Sequence, residues 1–100
     1  MSQTFNKQVA VAETNWPVTC DGPAHPFPSD TTWIPKSVQG QSQWVQEVAK
    51  IVAATNRGVG LFYWEPAWTR NAGLGSSCWD NLMVAWGGQV RSSLSVFNSI

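Results

Sequence analysis

Two short apolar runs, VAVA at residues 9–12 and VGLFYW at 59–64, each end on a carboxylate, Glu13 and Glu65. An unbroken apolar run of this length reads as a strand covered on both faces, as in parallel sheets. Such a strand excludes charge except where it emerges from its neighbours. After the first run, residues 14–37 carry Pro17, Pro23, Pro26, Pro28 and Pro35 with Gly22, an irregular loop. Loops beyond about 12–15 residues are usually functional or disordered, and Trp16, Phe27 and Trp33 argue against disorder here. The segment 41–56 then spaces Trp44, Val45, Val48, Ile51, Val52 and Thr55 on one helical face. Ser37 or Gly40 caps its start, and Asn56 with Gly58 ends it. A second long loop, 66–80, contains Pro66, Gly73 and Gly75, and 89–97 spaces Val90, Leu94 and Phe97 as a short helix.

The order is strand, long loop, helix, twice over: two βα units and an α/β class. In βα barrels the working residues lie at the C-terminal ends of strands and in the loops that follow. Glu13, Trp16, Trp64, Glu65 and Trp68 all fall there. One hundred residues suffice for one domain with a modest core. Six basic and six acidic residues leave no net charge, so nothing favours nucleic acid as a partner. No apolar run is long enough to span a membrane. The first twenty residues lack a secretory leader, since Lys7 is their only positive charge and no apolar core follows Met1. Seven tryptophans are too many for so small a core, and their flat faces suit the C–H faces of sugars as well as packing.

Taken alone, Glu13 and Glu65 admit two readings. Carboxylates at adjacent strand ends, roughly 5 Å apart, have the separation of a retaining glycosidase's nucleophile and acid. Equally, either carboxylate serves to anchor a loop through backbone N–H groups.

The stretches VAVAETNWPVTC, FPSD, GLFYWEPAW and NAGLGSSCWDNLMV resemble the C-terminal portion of the fungal endo-β-1,4-galactanases, glycoside hydrolase family 53. The resemblance runs from about Lys7 to Phe97. It implies that residues 1–100 are the C-terminal part of a TIM-barrel catalytic domain, the last two βα units of a (β/α)8 barrel. Glu13 is then the nucleophile on strand seven, VGLFYW is strand eight, and Trp64 floors the subsite where the bond breaks. The family's general acid follows an Asn-Glu sequence on strand four that this chain lacks, so Glu65 becomes a structural carboxylate at the barrel rim. Asp21, Asp30 and Asp80 sit in loops where nothing raises a carboxyl pKa, and none replaces the acid. Trp16 and Trp68 divide between stacking on substrate and packing the rim, and Asn15 between bonding a sugar hydroxyl and capping a turn.

Cys20 and Cys78 follow the two strands, and as a disulfide they would tie the two loops together, the alternative being two free thiols. Ser77, Asp80, Asp21 and His25 partly match a calcium loop of bacterial relatives, but incompletely, and the expectation is no metal and no cofactor. His25 reads as a solvated loop residue, Trp44 as core, and Arg57 and Arg70 as partners for Glu65. The implied substrate is galactan polysaccharide and the implied parent is secreted, with Met1 an internal methionine of a longer protein. On this reading the chain alone is inactive without the N-terminal part of the barrel. The rival readings are a small tryptophan-based carbohydrate-binding module and a truncated product with no function.

Overall fold

The computed structural model describes residues 2–70, 78 and 80–100. Strands β1 (Val9–Thr14) and β2 (Gly58–Tyr63) pair in parallel, and the crossover between them carries helix α2 (Val38–Ala54). A single helical turn, α1 (Ser2–Phe5), precedes β1, and a 3₁₀ turn (Ser29–Thr31) lies within the first loop. A 3₁₀ helix (Ser92–Asn98) closes the chain against α2.

Helix α2 begins three residues before the expected start because Ser37 caps it. The Ser37 hydroxyl accepts from the Gly40 N–H at 3.0 Å, satisfying one orphan donor of the first turn. At the other end, Arg57 takes the left-handed conformation (φ 64°) that turns the chain into β2. The expected short C-terminal helix is a 3₁₀ helix. Its buried residues are Ser93 and Val96, three apart, which stack in register at three residues per turn. Val90 and Phe97, expected on the inner face, are exposed.

The apolar core is small. Val45 of α2, Met83 and Val96 are buried together, with Leu61, Tyr63 and Leu94 packed against them. All of this lies on one side of the sheet. Of the two faces expected to be covered, one is covered by these residues: Leu61 and Tyr63 meet the helix side, while Phe62 remains 65% exposed. Ile51, expected on the inner face of α2, is exposed as well. A two-stranded sheet with one layer of helix has material for only one covered face.

Register decides which residues occupy the open face. Ala10 pairs with Gly60 and Val11 with Leu61, but the next aligned pair is Thr14 with Tyr63. Between these pairs β1 spends three residues where β2 spends two, which is a β-bulge. Strict alternation after Val11 would put Glu13 on the helix side and Thr14 on the open side. The extra residue reverses this. Thr14 is half-buried and faces α2, whereas Ala12 and Glu13 are exposed.

Candidate functional site

Glu13 is exposed near the end of β1, and alternation from Thr14, which faces α2, puts it on the sheet face that no helix covers. Thr14, its neighbour, is held from two directions. Its Oγ1 accepts from the indole Nε1–H of Trp44 at 2.7 Å, and its carbonyl accepts from the Trp64 N–H at 2.8 Å. The second bond extends the parallel ladder by one residue and sets Trp64 beside the end of β1. Trp64 is 43% exposed, so an aromatic face and a carboxylate stand at the C-terminal ends of adjacent strands. Glu65 then takes a left-handed conformation (φ 49°), turning the chain away directly after Trp64.

Trp16 is packed into the loop that follows β1. It is 3% exposed, its ring stacks on Trp44 with centroids 4.8 Å apart, and Phe27 meets it edge-on at 5.3 Å. Its indole N–H donates to the Pro35 carbonyl at 2.8 Å. Of the two roles open to Trp16, packing is the one seen here: a proline-rich loop with a single 3₁₀ turn rests on it as a large apolar anchor. Trp44, read as core, is half-buried and forms the bridge between Trp16 and Thr14. Asn15 lines a cleft of about 190 Å³ with Pro17, His25, Phe27, Cys78 and Asn81. Trp68 is half-buried in the segment after β2, next to Ala67, which bridges Val84. Trp33 and Trp86 are exposed, and Trp79 lies outside the described residues.

The loops behind the site are pinned by a buried polar hub. Gln41 is fully buried, and its Nε2 donates among the carbonyls of Trp16, Asn81 and Leu82 at 3.0–3.2 Å. Its Oε1 accepts from the Ser93 hydroxyl at 2.7 Å. The Tyr63 hydroxyl shares its one proton between the carbonyls of Asn81 (2.7 Å) and Trp16 (3.0 Å) and accepts from the Trp16 N–H at 3.0 Å. Burial pushes the Tyr63 pKa up to about 12, against the hydrogen bonds from Trp16 and Gln41 that favour the charged form. One strand, one helix and both loops thus share a few polar atoms.

Cys20 and Cys78 form a disulfide with their Cα atoms 5.0 Å apart, joining the loop after β1 to the segment after β2. The same two segments meet where Thr19 bridges Asp80 and the Val18 N–H donates to the Asp80 carbonyl at 2.9 Å. The Asp80 carboxylate is engaged by Arg91, whose hydrogen bonds hold its pKa below the usual value despite partial burial. That accounts for Asp80 in structural terms: its carboxylate is taken up by Arg91. Asp21 and Asp30 are exposed in the first loop, and Ser77 lies outside the described residues. Among the described residues no three His, Cys, Asp or Glu side chains gather to hold a metal ion, and no helix is long and apolar enough to cross a membrane. The ion pairs among them are Lys50–Glu47 and Arg91–Asp80, so the expected pairing of Arg57 or Arg70 with Glu65 does not occur there.

Sequence reasoning missed Gln41, Tyr63, Asn81, Ser93 and the Asp80–Arg91 pair. One signal was present: Gln41 lies four residues before Val45, a polar residue in line with the apolar face of α2. The others carry no local pattern that marks the hub, since the contacts joining them to other elements reach 11 to 52 residues along the chain.

Comparison with known proteins places this geometry. The family model described as Glycosyl hydrolase family 53 matches residues 1–97. The chain is 57% identical over 100 residues to the arabinogalactan endo-beta-1,4-galactanase of Thermothelomyces thermophilus, covering all of this chain and 30% of that protein. It is 59% identical over 101 residues to the probable arabinogalactan endo-beta-1,4-galactanase A of Aspergillus fumigatus, covering 28% of it. A chain from a structural study of two fungal beta-1,4-galactanases superposes with a TM-score of 0.94 at 57% identity, matched over 100% of this chain and 30% of its own length. The chain thus spans about 30% of the length of the curated relatives it matches, and among its described residues forms an α/β piece with no closed barrel.

Proposed function

The chain belongs to glycosyl hydrolase family 53, and from that premise we propose that it supplies the nucleophile-bearing part of a retaining endo-β-1,4-galactanase. The single observation that carries this reading is the bulged end of β1, which leaves Glu13 on the uncovered sheet face beside the exposed Trp64. In this reading Glu13 attacks the anomeric carbon of a galactosyl unit from one side. An acid protonates the departing glycosidic oxygen from the other, giving a covalent glycosyl-enzyme. The same acid, now a base, takes a proton from water as that water displaces Glu13, and configuration is retained.

Asp80 is committed to Arg91 and Glu65 occupies the turn after β2, so the acid comes from outside these 100 residues. The open face is where the rest of a barrel would close over Glu13. Trp64 offers its ring to the C–H face of the sugar next to the scissile bond, and Asn15 and Trp68 supply the neighbouring contacts. The substrate is β-1,4-linked galactan of the arabinogalactan type. The Cys20–Cys78 disulfide suits an oxidising compartment and therefore a secreted parent.

Grafting the chain in place of the matching 30% of the Thermothelomyces thermophilus relative tests this. The graft is expected to hydrolyse galactan, and Glu13→Gln to abolish turnover while leaving galactan binding within about twofold. A 2-deoxy-2-fluorogalactoside inactivator is expected to label Glu13, read by peptide mass spectrometry. Undiminished turnover in the Gln variant, or labelling at another carboxylate, would overturn the assignment. Saturable binding of galactooligosaccharides by the ungrafted chain, without hydrolysis, would instead favour a tryptophan-based binding module.

A further inference from the structure

Thr14 is tied both to the neighbouring strand and to helix α2. Its carbonyl meets the Trp64 N–H at 2.8 Å, and its hydroxyl meets the Trp44 Nε1–H at 2.7 Å. It is also the first aligned residue after the bulge, paired with Tyr63. We propose that the Trp44–Thr14 hydrogen bond is a positioning device for Glu13, holding the bulge in the register that turns this carboxylate to the open face. The inference rests on the reading of Glu13 as nucleophile and goes beyond it by assigning Trp44 and Thr14 a role in that step.

The physical argument starts from alternation. A regular β1 would place residue 13 on the same side as Val9 and Val11, against the helix layer, and residue 14 on the open side. Keeping the bulge requires something that rewards Thr14 for facing inward. Threonine is short and polar, so packing alone offers it little. A half-buried indole N–H, by contrast, needs an acceptor, and the Thr14 hydroxyl is the acceptor it has. Trp44 cannot drift from this position, since its ring is stacked on Trp16 at 4.8 Å with an interplanar angle of 22°. Trp16 is fixed in turn by the Pro35 carbonyl and by the Tyr63 hydroxyl. The chain of contacts runs from loop to helix to the residue beside Glu13, and each link is a direct contact.

Loss of the bond leaves Trp44 and Thr14 in place but removes the reason for a single register at residues 12–14. Misplacement of a reacting group by about 1 Å is enough to cost on the order of 10²-fold in rate. In the grafted barrel, Trp44→Phe keeps a ring to stack on Trp16 and removes only the donor. Thr14→Val removes only the acceptor, and Thr14→Ser restores it. Each of the first two is expected to lower kcat on galactan by about 10- to 100-fold with KM within about twofold. The double variant is expected to be no worse than either single one, because both delete the same bond. Thr14→Ser is expected to return most of kcat, and the rate of Glu13 labelling by the fluorogalactoside to fall in proportion to kcat.

Singles that lower only the melting temperature, or losses that simply add in the double variant, would overturn the positioning role. Labelling at a residue other than Glu13, or a folded wild-type graft without turnover, would mean that the nucleophile reading itself has failed. Trp44→Phe that does not fold leaves Thr14→Val and Thr14→Ser to decide the question.

Discussion

Arg91 grips Asp80 with both arms of its guanidinium, Nη1 lying 2.8 Å from Oδ1 and Nη2 2.9 Å from Oδ2. Nη1 also donates to the Leu82 carbonyl at 2.7 Å, and the Leu82 N–H reaches back to Asp80 Oδ1 at 3.3 Å. Both side chains are largely withdrawn from solvent. The pair braces the segment that delivers Met83 to the core and presents Asp80 to the loop after β1.

Acid is expected to weaken this brace. The Asp80 pKa is lowered in the folded state, first by the Arg91 hydrogen bonds, from an ordinary value of 3.8. A folded value below the unfolded one means that the contribution is present above the unfolded pKa and lost as pH falls through the folded one. Denaturant unfolding followed by tryptophan fluorescence is expected to show stability falling below about pH 4. Asp80→Asn is expected to remove that slope and to cost about 1.5–3 kcal/mol at neutral pH, the range for hydrogen bonds to charged groups.

The Tyr63 hydroxyl gives the opposite sign at the alkaline end. Its folded pKa of about 12 exceeds the ordinary 10.0, chiefly through burial. The contribution is complete below the unfolded value and declines as pH rises from there through the folded one. Tyr63→Phe is expected to abolish this alkaline decline. It strips the Trp16 N–H of its acceptor, at about 1–3 kcal/mol for a buried group left unpaired. Parallel unfolding curves of the two proteins between neutral pH and pH 11 would check both effects.

Reduction of Cys20–Cys78 is expected to loosen the loops around the site before the core. The bridge closes a separation of 58 residues, for which chain entropy assigns about 4 kcal/mol, a model-dependent figure. A Cys20→Ser, Cys78→Ser double variant is expected to unfold at lower denaturant, with hydrogen exchange rising first at Val18 and Leu82 and last at Val45. Equal exchange in both proteins would show that the polar hub alone holds the loops.

Two glycines separate close approach from open space. A Cβ on Gly40 would overlap the Pro35 carbonyl oxygen, backbone that cannot step aside, whereas one on Gly60 would meet nothing within 4 Å. Gly40→Ala is therefore expected to destabilise the chain by about 1–3 kcal/mol or more, as overpacking does, and Gly60→Ala to lie within about 0.5 kcal/mol of the parent. Thermal unfolding monitored by circular dichroism distinguishes them.

The order of strands and helices, the parallel crossover and the family were written in VAVAETNW, in the face from Trp44 to Val52 and in GLFYWEPAW, because periodicity and motif are properties of contiguous residues. The helix cap was narrowed to Ser37 or Gly40, and the hydrogen bond from the Gly40 N–H decides for Ser37. The C-terminal segment was legible as a short helix but not as a 3₁₀ one, because its few apolar residues fit either spacing and contact with α2 selected Ser93 and Val96. Only the tertiary structure decided that Trp16 is interior, that Asp80 belongs to Arg91, and that Gln41 and Tyr63 hold the loops. Above all it decided which way Glu13 faces. A bulge is a mismatch of count between two strands about fifty residues apart, and no window on one strand contains it.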